Sequence, residues 1–570
     1  MESVEHPQVF FTYEWALAVQ RAYSSTLLPL IFLAYDRHDA AEDEHLSGVA
    51  ALASDAGGAY VSFLCATTGD YCDFLSSRAS KPAFVGAVLA ELRKMAVKNV
   101  TLTNLPADST TVSALRKNAR YSGYHLFART AYVCAQVSLA NLERRPGENK
   151  LVLPRKKMLR RFLNAMGREA PVRLDHARTW KTVSPILPQF RQSHIARFLI
   201  TGRISNLARP ERILFLEELA KLLGERGWLA LTRMMSGSKS FAWNYGFQFR
   251  ETWFWYQPTF DSDLEKYSPG FCLLAKVIEE AADDQTLTVV DLGLGAEEYK
   301  ERFANQSRKT LYITLKSSAF QHVREILRYR ASEVARASPK VESILRALAA
   351  RLEKLEHLAA REGALAAVRW LARKARQTIF SRTEVFFYEW DGSAANTAPD
   401  LHLEPLDLDR LATATLHYVD DDQTLSYLLR AAGRLREGKA VGFGLLDGYG
   451  KIVHFTWATP FEGFFLSELN APVKAPAADC VMLFDSWTPI SQRSHGYYGI
   501  AMEQMARRIQ EQGKKPWIFS AANNLASVYG LQRTGFQRRY SVVRRKLLGW
   551  QTINGDAPRP RTVQPAELLS

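Results

Sequence analysis

The stretch Cys480–Gly499, CVMLFDSWTPISQRSHGYYG, decides the fold of the C-terminal part of the chain. Its first residues, Cys480–Phe484, have the apolar character of a buried strand. A glycine-containing loop follows at Arg493–Gly499, and a helix is predicted over residues 500–512. A strand that leads into a glycine loop and then a helix exposes backbone N–H groups at the positive end of the helix dipole. This order predicts an anion site, to which Arg493 adds a full charge.

The segment resembles the core of GNAT-family N-acetyltransferases, whose signature at this junction is Arg/Gln-x-x-Gly-x-Gly/Ala. Arg493 and Gly496 match it, whereas Tyr498 stands where a small residue is expected. The family's later Asn-x-x-Ser/Ala and Gly-Phe patterns match at Asn524–Ser527 and at Gly535–Phe536. The alternative is an ordinary surface turn at residues 493–496.

The resemblance implies that backbone amides of the loop, including those of Tyr497 and Gly499, hold the pyrophosphate of acetyl-CoA or another acyl-CoA. It also implies that Asn524 contacts the pantetheine arm. No metal is expected. The family's usual general-acid tyrosine falls on Leu531 in this sequence, so either Tyr529 substitutes for it or the acid is absent.

Three side chains of this region are candidates for the general base, namely Asp485, His495 and Glu468. Direct attack of an amine on a thioester needs only a base, an oxyanion donor and alignment. The sequence does not choose among the three.

Residues 1–316 alternate strand and helix patterns and end in two specific motifs. Tyr267-Ser268-Pro269-Gly270 opens an amphipathic helix, and DLGLGAEEYK at Asp291–Lys300 follows the next apolar strand. Weaker markers precede them at Phe10–Trp15, Gly69–Asp73, Arg155–Arg161 and Ser193–Arg197. Together they resemble the CelD/BcsL-type acetyltransferases, which carry two fused GNAT-like lobes as in the FemAB type.

Ser268 and Gly270 lie where the pyrophosphate loop of an acetyltransferase would lie, so they are predicted to bind the donor. Pro269 also suits a first helical turn and Ser268 an N-cap, and the two roles are compatible. The cluster Arg155–Arg161 is either a solvated helix face or a phosphate-binding surface.

Asp291 ends a strand at the carboxyl edge, where α/β sheets place ligands. Lys300 either pairs with Asp291 or steers an anionic substrate. His194 is either a base for a sugar hydroxyl, because imidazole titrates near neutrality, or a histidine on a helix surface. Glu298 is a further catalytic candidate.

The composition agrees with a globular chain of several domains. Its 570 residues correspond to about three or four domains. The 74 Lys+Arg against 59 Asp+Glu give a net charge of +15, which favours an anionic partner. The five cysteines are scattered without a CxxC pair, which argues against a zinc cage or a disulfide framework. Nucleic-acid binding would rest on charge alone, because no recognisable motif accompanies it.

The sequence therefore predicts an α/β fold with mixed sheets and three GNAT-like lobes. The predicted regions are a first lobe (1–150), a second lobe (151–316), a helical bridge (317–380), a C-terminal GNAT domain (381–548) and a flexible tail (549–570). The bridge carries an a/d seam of leucines from Leu345, which fits either a connector packed on a neighbouring domain or a basic helix on a membrane surface.

The predicted function is transfer of an acyl group from acyl-CoA to an amine or hydroxyl of a small molecule, a sugar or an exopolysaccharide precursor. The alternative is a degenerate binding protein that acts with a membrane-bound polysaccharide synthase. The N-terminus lacks a basic signal-peptide region and no apolar run spans a bilayer, so a cytoplasmic protein is expected, with peripheral contact to the inner membrane face as the variant. The oligomeric state stays open.

Overall fold

The structure is a computed structural model, and it describes residues 4–37, 44–55, 57–144, 151–295, 297–336, 370, 380–392, 400–547 and 550–555. The chain forms two compact units: unit 1 is Met1–Arg197 with Ser205–Ala337, and unit 2 is Phe198–Ile204 with Ser338–Ser570. The turn-rich stretch Arg144–Lys150 predicts a linker. Its residues 145–150, most of the bridge beyond residue 336 and the tail beyond residue 555 lie outside the described residues.

Unit 1 is built on strands β1 Leu28–Arg37, β2 Glu44–Ser54, β3 Tyr60–Phe63, β4 Leu75–Ser76, β5 Asn99–Pro106, β6 His125–Ser138, β7 Val172–Ala177, β8 Leu229–Ser236, β9 Lys239–Phe249, β10 Thr252–Phe260, β11 Val289–Asp291 and β12 Gln306–Lys316. The α-helices in this part of the chain are α1 Tyr13–Tyr23, α2 Lys81–Lys94, α3 Thr110–Asn118, α4 Lys156–Met166, α5 Trp180–Val183, α6 Leu187–Ile200, α7 Pro210–Glu225, α8 Pro269–Asp283, α9 Glu298–Glu301 and α10 Ala319–Arg336.

These strands form one mixed sheet in the order β1-β2-β3-β5-β12-β6-β11-β10-β9-β8-β7, with β4 paired to β2. Two parallel pairs stand out, β3 with β5 and β10 with β11, and each pair is joined through a helix, α2 or α8. The two halves interleave, because β12 lies between β5 and β6 while the end of β6 pairs with β11. The expected α/β fold with mixed sheets is confirmed.

Helix α10 is the part of the predicted bridge that the structure describes. It packs on β6 and β12: the Thr314 hydroxyl donates to the Glu325 carboxylate at 2.8 Å, and the Tyr329 ring lies 5.4 Å from the Phe127 ring. Residues 319–336 are therefore a helix packed on unit 1, whereas the leucine seam from Leu345 lies outside the described residues.

Unit 2 contains β13 Phe380–Trp390, β14 His402–Pro405, β15 Val441–Leu446, β16 Ile452–Pro460, β17 Phe465–Leu466, β18 Ala471–Pro472, β19 Cys480–Trp487, β20 Lys515–Ala521, β21 Phe536–Leu547 and β22 Trp550–Gly555. Its described helices are α11 Leu408–His417, α12 Asp422–Glu437, α13 Tyr497–Glu511 and α14 Leu525–Gln532. The main sheet has the order β14-β15-β16-β19-β20-β13-β21-β22, and β17 pairs with β18.

The turn residues Asp447-Gly448-Tyr449-Gly450 between two apolar runs predict a hairpin, which the structure confirms as β15 and β16. The Asp447 carboxylate accepts the N–H groups of Tyr449 and Lys451 at 3.0 and 2.9 Å, which fixes the turn. Residues 550–555, expected as part of a loose tail, instead form β22 and pair with β21.

The five cysteines are buried and free. Within the described ranges, no helix combines the length and the apolar character that crossing a bilayer requires.

Candidate functional site

Strands β19 and β20 of unit 2 pair in parallel only over Cys480–Leu483 and Lys515–Ile518. Beyond this point β19 carries a bulge opposite β16. Phe484 pairs with Trp457 and Trp487 pairs with Phe455, so β19 has one residue more than β16 between these two pairs. A bulge bends its strand and interrupts the ladder. We call the resulting gap between the two strand ends the β19–β20 opening.

A cavity of about 700 Å³ lies at the β19–β20 opening. Its lining comprises His454, Glu468, Phe484, Asp485, Ser486, Trp487, Thr488, Gln492, Arg493, Ser494, Gly496, Tyr497, Tyr498, Ile518, Phe519, Ser520, Ala521, Asn524, Ala526 and Ser527. The cavity thus brings together five of the residues predicted from the sequence and the base candidate Glu468. The five are Asp485, Arg493, Gly496, Tyr497 and Asn524. The volume lies within the range of small-molecule and cofactor sites.

The loop before α13 has the geometry of an anion cradle. Gly496 is the N-cap of α13 with φ 77°, in the left-handed region that favours glycine, and a Cβ there would meet no atom within 4 Å. The first turn of a helix leaves N–H groups without intrahelical acceptors. The Arg493 guanidinium lies 5.4 Å from the Trp487 ring and donates through Nε to the Thr488 carbonyl at 3.2 Å, which holds a cation at the cavity wall.

Asn524 is the N-cap of α14, where its Oδ1 accepts the Ser527 N–H at 3.3 Å. This bond fixes the side chain at the cavity wall. Gly499, also predicted as part of the cradle, lies in the first turn of α13 but is not among the cavity-lining residues. A Cβ there would lie 3.2 Å from Thr534 Cγ2, so this glycine allows α13 to pack closely on the chain before β21.

Tyr498 departs from the family signature, and the structure shows how it is accommodated. A Cβ on Gly530 would lie only 2.9 Å from Tyr498 Cδ1, so the glycine in α14 makes room for the tyrosine ring. The Tyr498 hydroxyl lies 3.3 Å from the Ser527 hydroxyl. Burial raises the pKa of Tyr498 to about 12.

The predicted catalytic groups of unit 2 differ in their surroundings. The Asp485 carboxylate forms an ion pair with Arg434, and its backbone has φ 43°, a left-handed conformation at the bulge. Glu468 lines the cavity and accepts a hydrogen bond from Ser467 at 2.9 Å. His495 stacks on the Tyr497 ring at 5.4 Å.

Tyr529 is 63% exposed and is not among the cavity-lining residues, while Leu531 is fully buried in the core. The helical spacing explains this difference, since two residues along α14 turn the side chain by about 200°. The structure gives Tyr529 no position from which to act as the acid in the cavity.

His454 of β16 is a cavity residue that the sequence did not reveal. It is 1% exposed, its Nδ1 lies 2.8 Å from the Thr488 hydroxyl, and its Nε2 has no hydrogen-bond partner among the described residues. Burial lowers the pKa of His454 to about 3, so the ring is neutral at physiological pH. A neutral ring whose Nδ1–H donates to Thr488 offers an Nε2 lone pair at the cavity.

In unit 1, Asp291 is the centre of a buried polar cluster. Its carboxylate accepts hydrogen bonds from the Tyr71 hydroxyl at 2.8 Å, the Gln136 amide at 2.7 Å and the Gly293 N–H at 2.8 Å. Burial raises its pKa, while these three donors stabilise the charged form. Asp291 therefore ties β6 and the first half of unit 1 to β11.

Asp70 is the second carboxyl of this cluster, within the Gly69–Asp73 marker. A Cβ on Gly293 would lie 2.6 Å from Asp70 Oδ2 and 3.2 Å from the Trp255 carbonyl, so Asp70 sits where β10 and β11 part after Phe254 and Asp291. Burial and the neighbouring Asp291 raise the pKa of Asp70 to about 7. The sequence identified the segment Gly69–Asp73 as a motif, but only the folded structure shows that Asp70 lies close to Asp291.

The expected pairing of Lys300 with Asp291 is wrong. Lys300 is buried and binds the Glu297 carboxylate at 2.8 Å and the Leu294 carbonyl at 2.9 Å, because helix α9 begins within this loop. Glu298 is exposed and pairs with Arg302. Neither side chain belongs to the Asp291 cluster by hydrogen bonding.

His194 lies inside unit 1 rather than on a helix surface. Its Nδ1 lies 2.8 Å from the Ser205 hydroxyl and its Nε2 3.2 Å from the Gln257 amide nitrogen. Both ring nitrogens are engaged within the fold, an arrangement typical of a structural histidine.

The donor residues predicted in unit 1 lie at the start of α8. Pro269 occupies the first turn, as expected, but Ser268 is in a left-handed conformation with φ 46° and makes no side-chain cap bond. A Cβ on Gly270 would lie 3.3 Å from the Phe260 ring, so this glycine faces an aromatic side chain.

The comparisons with known proteins place part of unit 1 in a family. Residues 154–301 match the family model described as an acetyltransferase (GNAT) domain, which covers α4 to α9 and β7 to β11. For residues 154–301, this match confirms the expected relationship to the GNAT superfamily. No curated protein sequence matches the chain.

Solved structures resemble the chain only distantly. FemX is 9% identical, covers 57% of this chain and 96% of its own, with a TM-score of 0.38. L-PGS from Bacillus licheniformis is 12% identical, with coverages of 50% and 85% and a TM-score of 0.35. A GNAT-family acetyltransferase from Colwellia psychrerythraea is 10% identical, with coverages of 66% and 99% and a TM-score of 0.23. At these scores the structures add nothing on activity to the family match.

Proposed function

We propose that the protein transfers an acyl group from acyl-CoA to an amine or hydroxyl acceptor, and that unit 2 binds the donor. The observation that supports this most is the β19–β20 opening. Past Leu483 and Ile518 the two strands no longer pair with each other, which leaves backbone polar groups of both strand ends beside the cavity. The two amides of a pantetheine arm are suited to bind such groups as an added strand would.

The residues around the cavity fit the chemistry of acyl-CoA. The N–H groups after Gly496 and the Arg493 guanidinium would hold the pyrophosphate, and Asn524 would bind the pantetheine arm. When bound, the thioester supplies an activated acyl group. No group of three metal-ligating side chains occurs in the part of the chain that the structure describes.

Two side chains would act on the acceptor. Glu468 is the candidate base, because Asp485 is already neutralised by Arg434. In the tautomer whose Nδ1–H donates to Thr488, the neutral His454 ring would accept a hydrogen bond from the acceptor through Nε2. In this arrangement His454 would orient the acceptor and Glu468 would remove its proton.

The acceptor class is the finer part of the proposal. The resemblance of residues 1–316 to CelD/BcsL-type proteins favours a sugar or an exopolysaccharide precursor. A degenerate binding protein acting with an envelope polysaccharide synthase is the second candidate, and the buried Leu531 at the family's general-acid position favours it.

Thermal unfolding with and without acetyl-CoA tests donor binding. Saturation to about 100 times Kd stabilises a folded unit by about 2.7 kcal/mol, which corresponds to about 5–11 °C for a unit of this size. Arg493→Gln should remove most of the shift, whereas Arg436→Gln, an exposed arginine of α12, should retain it. No shift of the parent at millimolar acetyl-CoA would refute donor binding.

Release of the CoA thiol in the presence of candidate amines and sugars then separates the two functions. Glu468→Gln should retain the acetyl-CoA shift and lose most turnover, by about 100-fold or more for a general base. A parent that binds acetyl-CoA and never releases thiol with any acceptor would support the binding protein instead.

A further inference from the structure

The end of the unit 2 sheet carries an aromatic and basic surface that the acyl-transfer site does not use. Phe380 of β13 pairs with Leu547 of β21, which pairs with Trp550 of β22. Residues that lie directly opposite each other on neighbouring strands share one face of a sheet. These three apolar side chains therefore form a row across three strands.

A basic row lies beside the apolar one. Arg382 pairs in register with Arg545, and each lies two residues from its apolar neighbour, so both face the same side. We call these five side chains, Phe380, Leu547, Trp550, Arg382 and Arg545, the strip.

The strip is open to solvent. Phe380 is 50% exposed, Leu547 56% and Trp550 84%. Arg382 shares Glu384 with Arg538, while no ion pair of Arg545 occurs among the described residues. At this end of the sheet, residues 380–384, 543–547 and 550–555 include four Lys or Arg and one Glu, so the sheet end is basic.

We propose that the strip docks the protein on an anionic lipid bilayer. Tryptophan favours the membrane interface, where its ring is apolar and its N–H remains hydrated. Phenylalanine and leucine in the same row would enter the acyl boundary, and the arginines would bind lipid phosphates from the adjacent row. An acidic protein partner would also attract the two arginines. Protein interfaces, however, usually depend on one anchor side chain buried in a pocket, whereas a row of exposed Phe, Leu and Trp suits insertion into a membrane interface.

A second copy of the chain is the competing occupant, because β22 is the edge strand of the sheet. An exposed edge can pair with another strand. Edge pairing would use the backbone of β22, however, and would not require the basic row. Binding to a bilayer should therefore weaken when the arginines are removed or salt is added, whereas edge pairing with a second copy should not.

Co-sedimentation of the full chain with vesicles tests the proposal. We expect binding to equimolar phosphatidylcholine and phosphatidylglycerol, weakened by salt, and little binding to phosphatidylcholine alone. Trp550→Ala should weaken binding by about ten-fold or more, while Tyr449→Ala, which removes a 98% exposed tyrosine from another turn of unit 2, should leave it unchanged.

The charge arm uses Arg382→Ala with Arg545→Ala. At about 1 kcal/mol per cation, the pair should weaken partitioning by about thirty-fold. The matched control is Lys439→Ala with Lys514→Ala, two exposed lysines of unit 2 that precede β15 and β20 and lie outside the strip. The melting temperatures of all variants should match that of the parent, which excludes loss of folding as the cause.

Three outcomes would overturn the proposal. The first is a parent that does not bind anionic vesicles at low salt. The second is an equal loss of binding in the strip variants and the lysine control, which would show unspecific attraction by net charge. The third is a Trp550-dependent dimer in light scattering without vesicle binding, which would assign the surface to a second copy of the chain.

Discussion

Replacing Asp70 by asparagine should flatten the pH dependence of the stability of unit 1. Burial and the adjacent Asp291 raise the pKa of the Asp70 carboxyl to about 7 in the folded chain. In the unfolded chain the same group has its ordinary pKa near 3.8. The folded state therefore holds a proton that the unfolded state has released. This contribution to stability is complete at low pH and is lost as the pH rises through 7.

The size of the effect follows from the two pKa values. The contribution of Asp70 to the free energy of unfolding is about 2.7 kcal/mol at pH 5, about 1.4 kcal/mol at pH 6 and less than about 0.1 kcal/mol at pH 8. Between pH 6 and pH 8, the parent should lose about 1.4 kcal/mol that the D70N variant, which has no proton to release at this position, does not lose.

Hydrogen exchange measured by mass spectrometry can assign the change to unit 1. The slowest amides of β10 and β12 report its opening, and those of β19 in unit 2 serve as an internal reference. After correction for intrinsic exchange rates, the parent should show the loss and D70N should not. Asp36→Asn, an exposed aspartate of β1, is the matched control. An equal pH dependence in the parent and D70N would refute the assignment of the proton to Asp70.

Three further substitutions test individual contacts. Gly530→Ala brings a methyl group to 2.9 Å from the Tyr498 ring, and the resulting overpacking of about 1–3 kcal/mol should outweigh the gain in helix propensity of about 1 kcal/mol. The variant should therefore show a smaller acetyl-CoA shift in thermal unfolding, and an undiminished shift would contradict this. His194→Ala should cost about 1–3 kcal/mol in urea unfolding, whereas loss of turnover at full stability would indicate a catalytic role. Lys81→Met leaves the buried Asp73 carboxylate, 3.2 Å away, without its cation, and should cost about 3–5 kcal/mol; an unchanged urea midpoint would argue against the pair.

The sequence was sufficient where one local pattern determines one local structure. The strand, glycine loop and helix at 480–511 were predicted from apolar character and glycine placement, and the loop residues do line one cavity. The Asp447–Gly450 hairpin was equally local. In both cases the residues that decide the structure are neighbours in the chain.

The sequence was insufficient where a partner lies far away along the chain. Strand β6 was not predicted, since its residues include Arg129, Thr130 and Gln136 and its burial changes along its length. It becomes a strand because β12 and β11 lie beside it. His454 could not be identified for a similar reason: Thr488, its hydrogen-bond partner, is 34 residues away.

Two parallel strand pairs among the described residues, β10 with β11 and β19 with β20, share a topology but differ in their surroundings, which supports a donor site on unit 2. In unit 2, the gap beyond the paired residues of β19 and β20 is a cavity. In unit 1, the Asp70 side chain occupies the corresponding place beyond Phe254 and Asp291. It lies so close to Gly293 that a Cβ on this residue would clash with it. Gly293, the first glycine after Asp291, is therefore explained by contact between the two halves of unit 1. A strong motif can thus reflect how two halves of a unit are joined, while the donor site that we propose lies on unit 2, whose sequence departs from the family signature at Tyr498.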